Sequence, residues 1–478
     1  MKKVVIYIIF IIVCILAGIY FVTNHVEIRD ADSEFKDESI VYSVSDIKVN
    51  LKCVDNFTIH DNNIICATSR GLFLKDYEGN IIPDLAESYE IKDNGIEYLI
   101  KIKDDCYFSN GSKISAKDFV DFFKELSDYE EEQNIKALLD VFGITDYRNK
   151  KCTFENTGIT YENNILKIRL NVPNNNFLDE LTKIQYKLRK SLNLWENITL
   201  NNKKILFSGE YSIDYADNNE MIIYKNKYSN SKNNIECIIL KKDESSEFAM
   251  ADYQIGKRDI VIEPPKDYLA SLKDKNELFT NISNRVMITQ FNNTLEFNKR
   301  CNIYKMLYTS ITNYVNENMY YIEPAECSYN IQEKNNINII QSRKVIMNSI
   351  DYNNDINKIS ILAEDNPENR YWIEYIKKYF EDKYNIVVNY YLGTSEEMND
   401  NELIKRYDIY MYSEDLFLES ESNNDELFNN CLVRPLFFYN NNIAVSRKIT
   451  NFKLDFYGAF DFLNMQRHWI WGLYKCFI

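Results

Sequence analysis

The stretch RGLFLKDYEGNIIPDLAESYEIKDNGIEYLIKIKDDCYFSNGSKISAKDFVDFFKEL runs from Arg70 to Leu126 and contains a strand, a tight turn and a helix start in quick succession. Gly95 to Ile102 alternates apolar and polar side chains with the period of two that a half-buried strand requires. Asn110-Gly111 supplies the conformationally permissive pair that a turn needs. Ser115 followed three residues later by Asp118 is a capping-box-like helix start. Beyond it Phe119, Val120, Phe122, Phe123 and Leu126 form an apolar stripe at helical spacing over Ala116 to Leu126.

Working outward, the same signals continue on both sides. Ile40 to Ser45 and Ile165 to Val172 read as strands bounded by Asn, Asp or Gly, and Lys299 to Val315 and Glu368 to Tyr384 read as helices. The second helix is preceded by a strand-like run at Lys358 to Ala363 and leads into another at Asn385 to Leu392, which predicts a βαβ unit. Only 12 Gly and 7 Pro punctuate the chain, so its turns must be built largely from Asn and Asp. Pro264-Pro265 follows the strand-like Asp259 to Ile262, and Pro435 precedes Leu436-Phe437-Phe438. Both mark candidate domain crossings.

The order Gly71-Leu72-Phe73, Pro83-Asp84-Leu85-Ala86-Glu87-Ser88-Tyr89, Phe108-Ser109-Asn110-Gly111 and Ala116-Lys117-Asp118-Phe119 resembles the family 5 extracellular solute-binding proteins. Later segments continue the resemblance: Phe207-Ser208-Gly209-Glu210-Tyr211 with Asn226-Lys227-Tyr228, then Gly256-Lys257-Arg258-Asp259-Ile260, then Phe291-Asn292-Asn293 through Arg300, ending near Leu463. It implies an α/β, bilobed periplasmic-binding-protein-like clamp of type II with an extra side domain, closing by a hinge on a ligand held between the lobes. The expected division is lobe I over 40–263 with a side domain at about 66–206, lobe II over 264–439, a return segment to lobe I over 440–465 and an aromatic tail over 466–478.

The family resemblance also suggests site residues. An acid in the second lobe of peptide-binding relatives pairs with the ligand's α-ammonium, and the matching stretch here is Tyr407 to Asp415. Tyr412 falls at the family's Trp position and Asp415 at its acid, with Glu414 beside it. The continuation Leu416-Phe417-Leu418 departs from the family pattern. Asn292 and Asn293 are placed where the second lobe meets the hinge, with amides that would bond a ligand backbone, and Tyr89, Tyr107 and Tyr412 are candidate aromatic walls. Each has a plainer reading as turn, loop or packing residue.

Composition narrows the function classes. The formal charge of -16 and the absence of a basic stripe argue against a nucleic-acid partner. The 3 histidines, His25, His60 and His468, sit in no metalloenzyme or nucleophile motif, so neither catalysis, a metal nor a cofactor is expected. None of the 10 cysteines shows Cys-x-x-Cys spacing. Spacing fixes no disulfide; Cys53 with Cys66 is one pairing that export would permit.

Val4 to Val22 is apolar or weakly polar throughout, long enough for a transmembrane helix. Lys2 and Lys3 precede it and Glu27, Asp30, Asp32, Glu34, Asp37 and Glu38 follow, which orients the body to the outside. The expectation is a membrane anchor over 1–23 and a tether over 24–39, with a cleavable signal as the competing reading. A binding protein of this class takes a peptide or small-molecule ligand to an ABC permease. The alternative is a degenerate clamp retained as a membrane-anchored sensor or assembly partner, since the acidic motif is altered and Cys14 lies mid-stretch, where a lipid attachment cysteine does not.

Overall fold

The computed structural model describes residues 38–55, 57–229, 233–318, 322–325, 356–415, 427 and 430–468. Val4 to Val22 and most of the expected aromatic tail lie outside them. Among the described residues no helix is long and apolar enough to cross a membrane.

The chain opens with β1 (Ser39–Val44), where Ile40, Tyr42 and Val44 are at most 1% exposed. A strand buried on both faces reads as a continuous apolar run, and β1 accordingly lies within a sheet. Helix α1 (Ile59–Thr68) begins at a Thr58–Asp61 capping box. A separate layer follows, a four-stranded antiparallel sheet of β2 (Ala86–Lys92), β3 (Glu97–Ile102), β4 (Ile159–Glu162) and β5 (Ile165–Arg169) in the order β2-β3-β5-β4. Against it packs α2 (Ala116–Tyr129). The Ser115 N–H and hydroxyl both donate to Asp118 Oδ2, at 2.9 and 2.7 Å, so the expected cap is present. Phe119, Phe122, Phe123 and Leu126 are at most 1% exposed and centre this layer's own core.

Beyond that layer run β6 (Tyr211–Ala216), β7 (Glu220–Lys225), β8 (Cys237–Lys242), α3 (Ser246–Gln254), β9 (Ile260–Ile262) and α4 (Lys266–Asp274). They are followed by β10 (Leu278–Phe291), α5 (Phe297–Asn318) and β11 (Ile322–Pro324). The remaining elements are β12 (Lys358–Glu364), α6 (Pro367–Tyr384), β13 (Val387–Gly393), β14 (Ile409–Asp415) and β15 (Val433–Val445). The predicted βαβ unit is β12-α6-β13, with β12 and β13 parallel and in register from Lys358–Val387 to Glu364–Gly393.

These strands make one 11-stranded sheet in the order β13-β12-β14-β10-β15-β9-β1-β8-β7-β6, with β11 also on β15. The sheet has two halves. The first, around β1, has a core of residues such as Ile40, Trp195 and Ile238; the second, around β12, has Ile361, Trp372 and Leu436. β10 and β15 form the seam, pairing antiparallel from Leu278–Ala444 to Gln290–Val433. Their register shifts between Ile282 and Val286, and again between Met287 and Ile288, the latter paired with Pro435. Such irregularities locally bend and twist a strand pair. Pro264 and Pro265 precede α4, whose Leu272 packs with Ala249, Val261 and Ala444. The register change lies downstream of them.

After the seam the chain returns to the first half, where Leu454, Phe460, Phe462 and Met465 join its core. Arg467 donates to Asp259 Oδ2 at 2.9 Å, and that same carboxylate accepts the Val41 N–H at 3.0 Å. The pairing of Cys53 with Cys66 does not occur: Cys53 Sγ donates to Tyr129 O at 3.5 Å and Cys66 Sγ to Asp455 Oδ2 at 3.8 Å.

Candidate functional site

In a sheet with parallel crossovers, ligands bind outside the carboxyl ends of the strands. Here β8, β9 and β12 end at Lys242, Ile262 and Glu364, beside the starts of α3, α4 and α6. A cavity of about 500 Å³ opens at this place. Ser246, Glu247, Glu263 and Lys266 line it from the first half, Tyr314, Ile322, Tyr371 and Trp372 from the second, and Ser283, Arg285 and Tyr439 to Asn442 from the seam. Both halves and the bend between them therefore contribute walls.

The wall residues are held by specific contacts. Asn369 accepts the Trp372 Nε1 proton at 2.9 Å and the Tyr439 hydroxyl proton at 3.3 Å through one oxygen, and donates to Glu364 O at 2.8 Å. One amide so fixes two aromatic rings, whose edges and faces can pack against apolar parts of a ligand. The Arg285 guanidinium stacks 4.5 Å from the Tyr439 ring centre and donates to Ser413 Oγ at 3.0 Å. Lys266 reaches across to Tyr371, its Nζ 4.7 Å from the ring centre, a cation–π contact between the halves. Glu263 sits at φ +51 with its N–H donating to Asn442 O at 2.9 Å. A non-glycine residue there costs about 1–3 kcal/mol, strain that accumulates where a side chain must be aimed.

The cavity thus carries two carboxylates, Glu247 and Glu263, and two cations, Lys266 and Arg285, around an aromatic floor. Such a surface complements a small molecule bearing both charges.

The residues expected from sequence distribute unevenly around this cavity. Asp415 pairs in register with Arg285 and Glu414 with Val286, so β14 brings the acidic pair alongside the cavity's arginine; their side chains lie outside the described residues. Tyr412 packs with Val286, Ile288 and Phe438, whereas Met411 packs with Met287 and Phe437 on the cavity side. Successive side chains alternate faces, so Tyr412 is turned away from the cavity. Asn292 and Asn293 stand at the far end of β10, lining a different cavity of about 350 Å³. That end is roughly 30 Å of strand from Ile282 at about 3.3 Å per residue. The Asn292 amide donates to Lys405 O and Tyr407 O at 3.0 and 3.2 Å, and its oxygen accepts the Thr294 N–H at 3.1 Å, so it closes a turn. Tyr89 is exposed on β2, edge-on to Phe73 at 5.4 Å, and Tyr107 is exposed near Tyr228 at 6.4 Å. Neither lines the cavity. Glu247, Glu263, Tyr371 and Trp372 were not anticipated as wall residues; the only sequence mark among them is Glu263, standing before Pro264-Pro265.

A further cavity of about 310 Å³ lies between the hairpin of Phe73–Lys75 with Ile81–Pro83, the end of α1 and the return segment. Lys75 there pairs with Asp179 at 2.6 Å and stands 4.5 Å from the Phe456 ring centre, fastening that segment down.

Residues 80–313 match the family described as bacterial extracellular solute-binding proteins, family 5, middle region. The oligopeptide-binding protein AmiA of Streptococcus pneumoniae is 33% identical over 110 residues, 22% of this chain and 17% of its own. The chain spans from about a sixth to about a third of the length of the curated relatives it matches, 17% and 36% in two cases. Among solved structures, the periplasmic murein tripeptide-binding protein MppA in its unliganded open form superposes with a TM-score of 0.68 at 13% identity, over 90% of this chain and 98% of that one. Haemophilus influenzae OppA in complex with the peptide RPPGFSPFR does so at 0.56 and 16% identity, over 90% and 99%. These likenesses show the fold, a periplasmic-binding-protein-like α/β architecture, and the match over 80–313 bears out the resemblance carried by Pro83 to Phe119.

Proposed function

We propose that this chain, matched over 80–313 to the family 5 extracellular solute-binding proteins, captures an oligopeptide or similar small solute outside the cytoplasm and presents it to an ABC permease. The observation that carries the reading is the cavity walled by both halves and by the bent seam between them. A ligand there would touch both halves at once, so its binding energy would favour the closed arrangement over the open one.

In this reading Arg285 and Lys266 receive the carboxylate end of the solute. Glu247 and Glu263, with Asp415 alongside, receive its ammonium, and Trp372 and Tyr439 form the apolar floor. The chemistry is capture and release, with no bond made or broken. Val4 to Val22 anchors the body on the outer face of the membrane, supported by its unbroken hydropathy and the lysines before it.

The test is thermal unfolding of the full chain in detergent with mixtures of short peptides. A ligand at a hundred times its Kd stabilises by about 2.7 kcal/mol, an observable upward shift. Arg285→Ala should abolish the shift while leaving the unliganded midpoint near its starting value. If no peptide shifts the midpoint, the capture reading fails and the retained scaffold, acting as a membrane-bound sensor or assembly partner, takes its place.

A further inference from the structure

Two buried thiols meet in the second half of the sheet. Cys301 lies near the start of α5 and Cys431 just ahead of β15, 2% and 1% exposed within one apolar core. Each thiol is the largest single influence on the other's protonation, so the two side chains are neighbours. The flanking residues fix the approach: Arg300 Nη2 donates to Asn430 O at 2.8 Å, and the Phe291 N–H donates to Leu432 O at 2.8 Å. Cys431 itself adopts φ +55, a left-handed backbone uncommon for a non-glycine residue. Cys53, Cys66 and Cys152 each bond an oxygen.

We propose that Cys301 and Cys431 are a disulfide site, closed when the chain folds in an oxidising compartment. The compartment rests on the extracytoplasmic reading above; the pairing rests on the geometry alone. The co-reactant is a disulfide-bearing oxidant, protein or small molecule. One thiolate attacks the oxidant's S–S bond, giving a mixed disulfide and one released thiol. The second thiolate then displaces the oxidant's remaining sulfur, so two protons and two electrons leave the pair and the oxidant is reduced to two thiols. The neighbouring Cys301 thiol, then Arg434 and Arg300, favour the Cys431 thiolate, while Cys431 and burial keep Cys301 protonated, so Cys431 is the better first nucleophile. Both sulfurs are shut off from solvent in the folded chain. Exchange therefore precedes closure of this core or follows its opening.

The placement gives the bond a mechanical use. α5 continues from the end of β10 and Cys431 leads into β15, so the bond ties together the far ends of the two seam strands. The second half would then move as one body, with bending confined to the register change between Ile282 and Val286.

The test is cysteine mapping of the full chain refolded in a glutathione redox buffer. The chain is alkylated under denaturing conditions without reductant, then digested. The expected result is a linked peptide pair containing Cys301 and Cys431 that disappears on reduction, with Cys53, Cys106 and Cys237 alkylated. Cys301→Ala should free Cys431 for alkylation, and the wild-type map stands by itself if that variant misfolds. Full alkylation of both residues in the refolded wild type, or linkage of either to Cys327 or Cys476, would overturn the pairing. The same map on chain isolated from the producing cell tests the compartment: a linked pair supports it, and a reduced pair there, despite linkage in the glutathione buffer, overturns that half of the proposal.

Discussion

Replacing Asp259 by asparagine should destabilise the first half of the sheet strongly, because this carboxylate holds three distant parts of the chain together. Asp259 is 3% exposed; its Oδ2 accepts the Val41 N–H from β1 at 3.0 Å and the Arg467 Nη1 proton from the end of the return segment at 2.9 Å. Asparagine keeps an acceptor for Val41 but removes the charge, leaving a guanidinium that is 9% exposed with no opposite charge beside it. Breaking one partner of a buried ion pair costs about 3–5 kcal/mol, mostly the desolvation of the charge left behind. For a cooperative unit of this size that is on the order of a 10 °C fall in Tm. Arg467→Met should cost a similar amount by stranding the carboxylate. The double variant removes both charges and should be more stable than the sum of the two losses implies, by about 2 kcal/mol or more. Denaturant unfolding of all four proteins measures this. A change below about 0.5 kcal/mol for Asp259→Asn, or strict additivity in the double variant, would refute the claim that the segment at Arg467 returns to β1.

Three further outcomes follow from the same structure. Gly209→Ala should lower stability sharply or block folding, since a Cβ there would stand 2.5 Å from Ser69 N and 2.6 Å from Ala67 O, backbone atoms that cannot step aside; soluble yield and Tm measure it. Burial pushes the Cys66 thiol up to about 12 from 9.0, so native alkylation at pH 8 should run roughly a thousandfold slower than in urea, followed by mass spectrometry. Burial also lowers the His60 pKa, with Asp61 and Asp46 opposing it and Tyr42 packed 6.0 Å away. The unfolded chain then binds a proton that the folded chain resists. Stability should fall as pH drops below about 6.5, by at most roughly 1.4 kcal/mol per pH unit from this group. His60→Gln should flatten that part of the profile in denaturant titrations from pH 7 to 5.

Local chemistry made much of the fold legible. The Ser115–Asp118 start of α2, the alternation in β3 and the β12-α6-β13 crossover depend on neighbours within a few residues, and each stands where the pattern puts it. The seam is different. Its register change is marked by no proline at Ile282 to Arg285, and across from it Asn440 to Asn442 look like any other Asn-rich turn of this chain. Pro264-Pro265, a local signal, stands between β9 and the seam strand β10, where it opens α4 and lines the cavity. Asn292 carries a related ambiguity: an amide closing a turn at a strand's end and one lining a cleft look alike until long-range pairing is known. Tyr412 shows how much one position matters, since one step along a strand reverses the face. The cavity walls were the least legible part, because the pair Glu247 and Glu263 and the pair Tyr371 and Trp372 lie more than a hundred residues apart in sequence.

The central claim is that a peptide-like solute sits between the halves, and the structure of the full chain bound to a peptide selected by thermal shift tests it most directly. The account predicts the ligand against Arg285, Glu263 and Trp372, with the halves closed on it about the β10–β15 bend. A peptide lodged instead beside Tyr89 and Tyr107, or in the cavity at Asn292, with the space by Trp372 left to solvent, would contradict it.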